Sequence, residues 1–123
     1  MQLMKFESFN MDYNGLEIGD RVVVRYKDSK YFMHIGKIFY ITKDGTRKGD
    51  CRVEMDSGQW IDFYYTNLQK IIEVICIPSG EVLYMPIDSA EELALHDIIK
   101  YNKKGGYYYC DDEDKWEIES WAI

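Results

Sequence analysis

The sequence predicts an α+β fold, mostly β: a small five-stranded barrel, then a β-hairpin, one helix and a C-terminal acidic β-hairpin. Three observations predict it. The 123 residues suit one domain of usual size, or a barrel of about 60 residues with an appended unit. From Leu16 onward, short runs of β-branched and aromatic residues alternate with Gly, Asp, Asn and Lys at the interval of a small all-β domain. One long segment, opened by Asp88-Ser89 and closed by Gly105-Gly106, instead carries helical start and stop signals.

The barrel elements follow in order. Arg21 to Tyr26 is the first strand, with Val22, Val24 and Tyr26 on one face and Val23 and Arg25 on the other. Tyr31 to Thr42 is the second, and Gly36 inside it marks a bulge or bend. Within it Met33, Ile35, Phe39 and Ile41 compete with His34, Ile38 and Tyr40 for the interior. The polar run 43–50 holds an Asp-Gly turn and leads into Cys51 to Met55, where Cys51, Val53 and Met55 share a face opposite Arg52 and Glu54. Asp56-Ser57-Gly58 turns the chain into Gln59 to Tyr64. A tight helical turn at Thr66-Asn67-Leu68-Gln69 precedes the fifth strand, Ile71 to Ile77. Interior positions are then Val22, Val24, Ile35, Val53 and either Ile61 or Phe63.

Beyond the barrel, Pro78-Ser79-Gly80 joins Ile71–Ile77 and Glu81–Ile87 as a hairpin, because Pro fixes φ and Gly permits a positive one. The helix follows, with Asp88-x-x-Glu91 and Ser89-x-x-Glu92 both fitting a capping box and Lys100, Lys103 and Lys104 in its last turn. Its stripe is Leu95, Ile98 and Ile99 with Ala94 and Tyr101. Tyr107–Cys110 and Trp116–Trp121 read as two strands about the acidic turn 111–115. The organisation is thus 1–15 as an N-terminal segment, 16–77 as the barrel, and 78–123 as the helix and hairpin packed on it.

Four pieces in sequence carry a resemblance: Gly19-Asp20-Arg21-Val22-Val23-Val24; Gly36-Lys37-Ile38; Val53-Glu54-Met55-Asp56-Ser57-Gly58; and Thr66-Asn67-Leu68-Gln69-Lys70-Ile71. Together they resemble the SH3-like barrel of Tudor and KOW-type domains over about residues 16–77. The resemblance implies one of two ligands, a methylated Lys or Arg held in an aromatic cage as in Tudor domains, or RNA or protein as in KOW modules. It places Tyr26 and Tyr31 at the first two cage walls, with Trp60 and Tyr64 as further walls, while Met55 stands where that family has an aromatic.

Charge narrows the partner. Net charge is −7, but residues 1–70 sum to +1 and residues 71–123 to −8. An acidic lobe repels phosphate and attracts a basic protein surface, so a protein partner is expected before nucleic acid. Asp111, Asp112, Glu113, Asp114, Glu117 and Glu119 are the acidic binding candidates, and Tyr26, Tyr31, Trp60 and Tyr64 the aromatic ones. The basic residues Lys27, Lys30, Lys37, Lys43, Arg47 and Lys48 are interleaved with acids and read as solvated loops.

The sequence offers little catalytic chemistry. His34 and His96 lie far apart with no cysteine or carboxylate at ligand spacing, so no metal is expected. The Asp111–Asp114 cluster lacks the glycine and distal Glu of a calcium loop. Lys104-Gly105-Gly106 reads as a helix C-cap and not as a phosphate loop. No nucleophile elbow or dinucleotide fingerprint occurs. Cys51, Cys76 and Cys110 are odd in number and widely spaced, which predicts buried free thiols. No apolar run reaches the length of a membrane span, and 1–10 has no apolar signal region, so the expected location is the cytoplasm. Fourteen Ile and eleven Lys against three Ala and two Pro suggest A/T-rich coding, as in a low-GC bacterium or its phage. The expected function is a non-enzymatic, cofactor-free protein-binding module, a small acidic inhibitor or adaptor that occupies a basic surface. Small acidic chains poor in sites resemble phage inhibitors of host defence, including anti-CRISPR proteins, several of which mimic nucleic acid. A KOW- or Tudor-like binder of nucleic acid or a methyl ligand, and an undetected small hydrolase, are the alternatives.

Overall fold

The structure, a computed structural model, describes residues 13–123; most of the expected N-terminal segment 1–15 lies outside the described residues. Strand makes up 41% and helix 19% of the described residues, so the fold they form is mostly β with two α-helices. The chain divides between Lys70 and Ile71 into two compact units.

In the first unit, β1 (Arg21–Val24), β2 (Ile35–Ile41), β3 (Asp50–Met55) and β4 (Trp60–Tyr64) pair antiparallel, each with the one before it. A 3₁₀ turn, Tyr65–Asn67, leads into β5 (Leu68–Ile77), whose first residues pair with β1. The order is β4-β3-β2-β1-β5, an open sheet; a closed five-stranded barrel is not formed by the ladders among the described residues. The core holds Leu16, Val22, Val24, Ile38, Ile41, Cys51, Val53, Met55, Phe63 and Leu68. Of the expected interior, Ile35 is only half-buried, and Phe63, not Ile61, is the buried member of its pair.

The second strand departs from expectation at both ends. Tyr31 to Met33 are turn residues, and the strand begins at Ile35. The register shifts between Ile38 and Tyr40, not at Gly36. That bulge turns Phe39 and Tyr40 outward together while Ile38 and Ile41 both stay buried. Gly36 serves a different need: a Cβ there would lie 2.5 Å from Val53 Cγ1 and 2.8 Å from the Glu54 carbonyl. Only glycine lets β3 cross so close.

In the second unit, β5 continues between β6 (Val82–Pro86), antiparallel across the expected Pro78-Ser79-Gly80 turn, and β8 (Tyr107–Asp111), which runs parallel to it. β7 (Lys100–Asn102) pairs antiparallel with β8. Helix α1 spans Ile87–Leu95, little more than half the expected length. It starts from Pro86 without a side-chain cap, so neither capping box forms. Its end is a Schellman motif: Asp97 adopts φ +60, its N–H bonds the Ala94 carbonyl at 3.1 Å, and the Ile98 N–H bonds the Leu93 carbonyl at 3.0 Å. Asp is one of the few non-glycine residues that tolerate this conformation. The chain then leaves helical geometry, which buries Ile99 and half-buries Ile98, while Leu95, still within α1, is exposed. Lys103-Lys104-Gly105-Gly106 is a hairpin turn between β7 and β8 and not a helix cap.

The acidic hairpin is also corrected. Asp112–Asp114 is a 3₁₀ turn, and Lys115–Glu119 is helix α2. Ile118 is fully buried, with half-buried residues at 114, 115 and 122. Burial therefore recurs at helical spacing, not at the period of two that a strand needs. The second core contains Val74, Cys76, Met85, Ala90, Leu93, Ile99, Cys110 and Ile118.

Candidate functional site: an aromatic sheet face

Among the described residues of the first unit, the outer face of β2, β3 and β4 presents the largest set of solvent-facing aromatics. The register lays it out in rows: Lys37, Glu54 and Trp60; Tyr40, Arg52 and Asp62; Asp50 and Tyr64. Trp60 is 54% exposed and stacks on Phe39, 51% exposed, with ring centroids 4.8 Å apart. Tyr40 and Tyr64 are about as open. Tyr64 leans on Tyr65 at 4.8 Å, and a Cβ at Gly49 would fall 2.7 Å from the Tyr64 ring, so a glycine at φ +96 makes room for it.

An ion pair sits at the centre of this face. The Arg52 guanidinium donates to both Asp62 oxygens, at 3.0 and 3.3 Å. That hydrogen-bonded guanidinium holds the Asp62 carboxyl below its ordinary range. Beside the pair lies a cavity of about 240 Å³ lined by Tyr40, Thr42, Arg47, Asp50, Arg52 and Asp62. It is smaller than the usual range for small-molecule pockets, and its charges already face each other, Arg47 lying 3.8 Å from Asp50. The geometry therefore suits contact with a broad surface better than enclosure of a small substrate.

The four sequence-selected aromatics differ in their settings. Tyr31 lies half-buried in the turn before β2, its ring edge-on to Phe63 at 6.2 Å and to His34 at 5.9 Å, and its hydroxyl donating to Gln59. Tyr26 is exposed just after β1. Among the described residues no ring contact joins any two of Tyr26, Tyr31, Trp60 and Tyr64. Trp60 and Tyr64 do share the outer face, with Phe39 and Tyr40, which the sequence did not single out. Alternation along 60–64 placed the first two together, but Phe39 and Tyr40 needed the bulge.

The acidic candidates lie in the second unit and have mixed duties. Asp112 accepts hydrogen bonds from the Ser79 N–H at 3.0 Å and the Ser79 hydroxyl at 2.8 Å, clasping the β5–β6 turn. Asp114 is half-buried, whereas Asp111, Glu113, Glu117 and Glu119 are exposed. Lys115 meets Glu81 at 2.7 Å and Glu119 at 4.0 Å, and the Glu81 hydrogen bond chiefly raises the lysine pKa. Trp116 stands among these acids, 75% exposed.

The thiols are free and buried, as expected. Burial pushes Cys51 up to about 11, and burial together with the Cys76 thiol 3.6 Å away pushes Cys110 up to about 12. Neither offers a nucleophilic thiolate at neutral pH. Among the described residues no group of three His, Cys, Asp or Glu is placed to hold a metal, and no helix is long and apolar enough to cross a membrane. Comparison with protein-family models, with curated proteins and with solved structures found no match for this chain.

Proposed function

We propose that the chain is a non-enzymatic protein-binding module whose first unit engages its partner through the outer face of β2, β3 and β4. One observation carries the reading: Phe39, Tyr40, Trp60 and Tyr64 stand about half-exposed on one face around the Arg52–Asp62 pair. Large rigid aromatics around a satisfied ion pair are the composition of an interface centre, where Trp, Tyr and Arg dominate binding energy. The antiparallel order β4-β3-β2-β1-β5, with a 3₁₀ turn before β5, supports an SH3-like reading of the same unit. The proposal is tested by affinity capture from the native source with the parent chain, Trp60→Ser and Phe39→Ser. A specific protein retained by the parent should be lost by both variants while their melting temperatures stay near the parent's. Equal retention by all three rejects the face.

A second reading rests on Trp116, an exposed aromatic anchor among Asp111, Glu113, Glu117 and Glu119. Here the acidic unit occupies a basic protein surface in the manner of small acidic inhibitors, anti-CRISPR proteins among them. Its partner would be released by high salt and by Trp116→Ser, and not by Trp60→Ser.

A further inference from the structure

The outer face ends at a strand edge, and that edge is open. β3 is the sole ladder partner of β4 among the described residues. The phase of the ladder follows from two bonds flanking it: the Met55 N–H to the Gln59 carbonyl at 2.8 Å, and the Tyr65 N–H to the Gly49 carbonyl at 2.9 Å. Bonded pairs alternate with non-bonded ones in an antiparallel ladder, so Asp50/Tyr64, Arg52/Asp62 and Glu54/Trp60 are the non-bonded pairs. The peptide N–H and C=O groups of Trp60 and Asp62 and the N–H of Tyr64 therefore point away from β3, and no loop or turn backbone among the described residues bonds them, while the Tyr64 carbonyl is taken up by the 3₁₀ turn Tyr65–Asn67. The same three residues carry the exposed side chains. Hydrogen-bonding backbone and recognition side chains thus face one lane.

We propose that this lane accepts an extended segment of a partner protein as an added antiparallel strand, with apolar residues opposite Trp60 and Tyr64 and a Lys or Arg between them opposite Asp62. The inference rests on the aromatic-face reading and names its mode. Main-chain bonds supply affinity in such strand addition, and alternate side chains supply specificity. Charge selects the occupant. A basic residue opposite Asp62 extends the Arg52–Asp62 pair into a row of alternating sign, and opposite charges across strands stabilise while like charges do not. A second copy of β4 aligned over its full length would set Asp62 against its own equivalent, which disfavours self-pairing.

Three capped heptapeptides test this on the full chain: Thr-Val-Thr-Lys-Thr-Val-Thr; the same with Glu at the centre; and the Lys peptide N-methylated on the two Val and the Lys. Hydrogen exchange and amide shifts report site and affinity. The Lys peptide should slow exchange at Trp60, Asp62 and Tyr64, and the Glu and N-methylated peptides should bind about tenfold more weakly. In Asp62→Asn the preference for Lys over Glu should fall to near onefold while the exchange pattern remains. Unaltered exchange at those amides, equal binding by the N-methylated peptide, or protection that instead rises with chain concentration alone would overturn the proposal. If the peptides fail while Trp60→Ser and Phe39→Ser still lose the captured partner, the aromatic face stands and the edge is not used.

Discussion

The two units use similar material, short apolar strands with a few aromatics, yet their side chains are ordered by different rules. From β1 to β4 every strand pairs antiparallel with its predecessor, so each ladder is local in sequence. In the second unit β5 takes β6 on one side and, on the other, the parallel β8, reached only after a helix and another strand. Local antiparallel pairing with one wet face writes its burial into the sequence as alternation. Distant pairing and a helix ended by backbone geometry do not.

Val53→Asp is the harshest test of the first unit. Val53 is fully buried, and its methyl sits over Gly36. An unpaired carboxylate there has no room and no partner, so cooperative melting of this unit should be lost in circular dichroism. A normal transition would mean that the β3 register is wrong.

In the second unit, Leu93 and Leu95 form a matched pair of opposite expectation. The stripe read from sequence includes Leu95, but Leu95 is 83% exposed and Leu93 only 1%. Leu93→Ala should cost about 2–5 kcal/mol, and Leu95→Ala close to the helix propensity difference, well under about 1 kcal/mol. Equal costs by denaturant titration would restore the longer helix.

These contrasts show what the sequence held. Cys51, Val53 and Met55 inward against Arg52 and Glu54 outward was legible, because a strand with one wet face repeats every second residue. The β5–β6 turn was legible from Pro78-Ser79-Gly80. The helix end was hidden, because Asp97 performs the turn usually marked by glycine, and the visible glycines, Gly105 and Gly106, lie eight and nine residues further on. α2 was hidden by its single buried residue, since Ile118 between two tryptophans also fits a strand. Of the candidate site, the Trp60–Tyr64 side was legible, but the edge and the Phe39 stack depend on pairing that no local pattern states.

The thiols compare the units under one variable, pH. Cys51 lies in the first core and Cys110 in the second, and both pKa values are raised above that of an unfolded thiol, about 8.5. A raised pKa means the folded state holds the proton more tightly, so its contribution is intact below pH 8.5 and is lost as pH climbs toward about 11 and about 12. Cys51→Ala should flatten the alkaline fall in stability of the first unit, and Cys110→Ala that of the second, measured by denaturant titration from pH 8 to 10. An unchanged slope would assign the fall to other groups.

The smallest effects lie in the acidic run, where the sequence reads six like residues and the structure separates them by what they touch. Asp112 holds both the N–H and the hydroxyl of Ser79, so Asp112→Ala leaves two donors at the β5–β6 turn to find water. One such net hydrogen-bond loss costs about 1 kcal/mol. Glu113 and Glu117 are exposed carboxylates in a unit that sums to −8, and replacing them removes repulsion without removing a side-chain hydrogen bond. Glu113→Gln with Glu117→Gln should therefore leave stability within about 0.5 kcal/mol, on the stabilising side if on either. Measured by thermal melts at low salt, a destabilisation of the double variant as large as that of Asp112→Ala would mean that these acids are part of the packing. Their solvated reading, and with it any role in meeting a basic partner, would then fall.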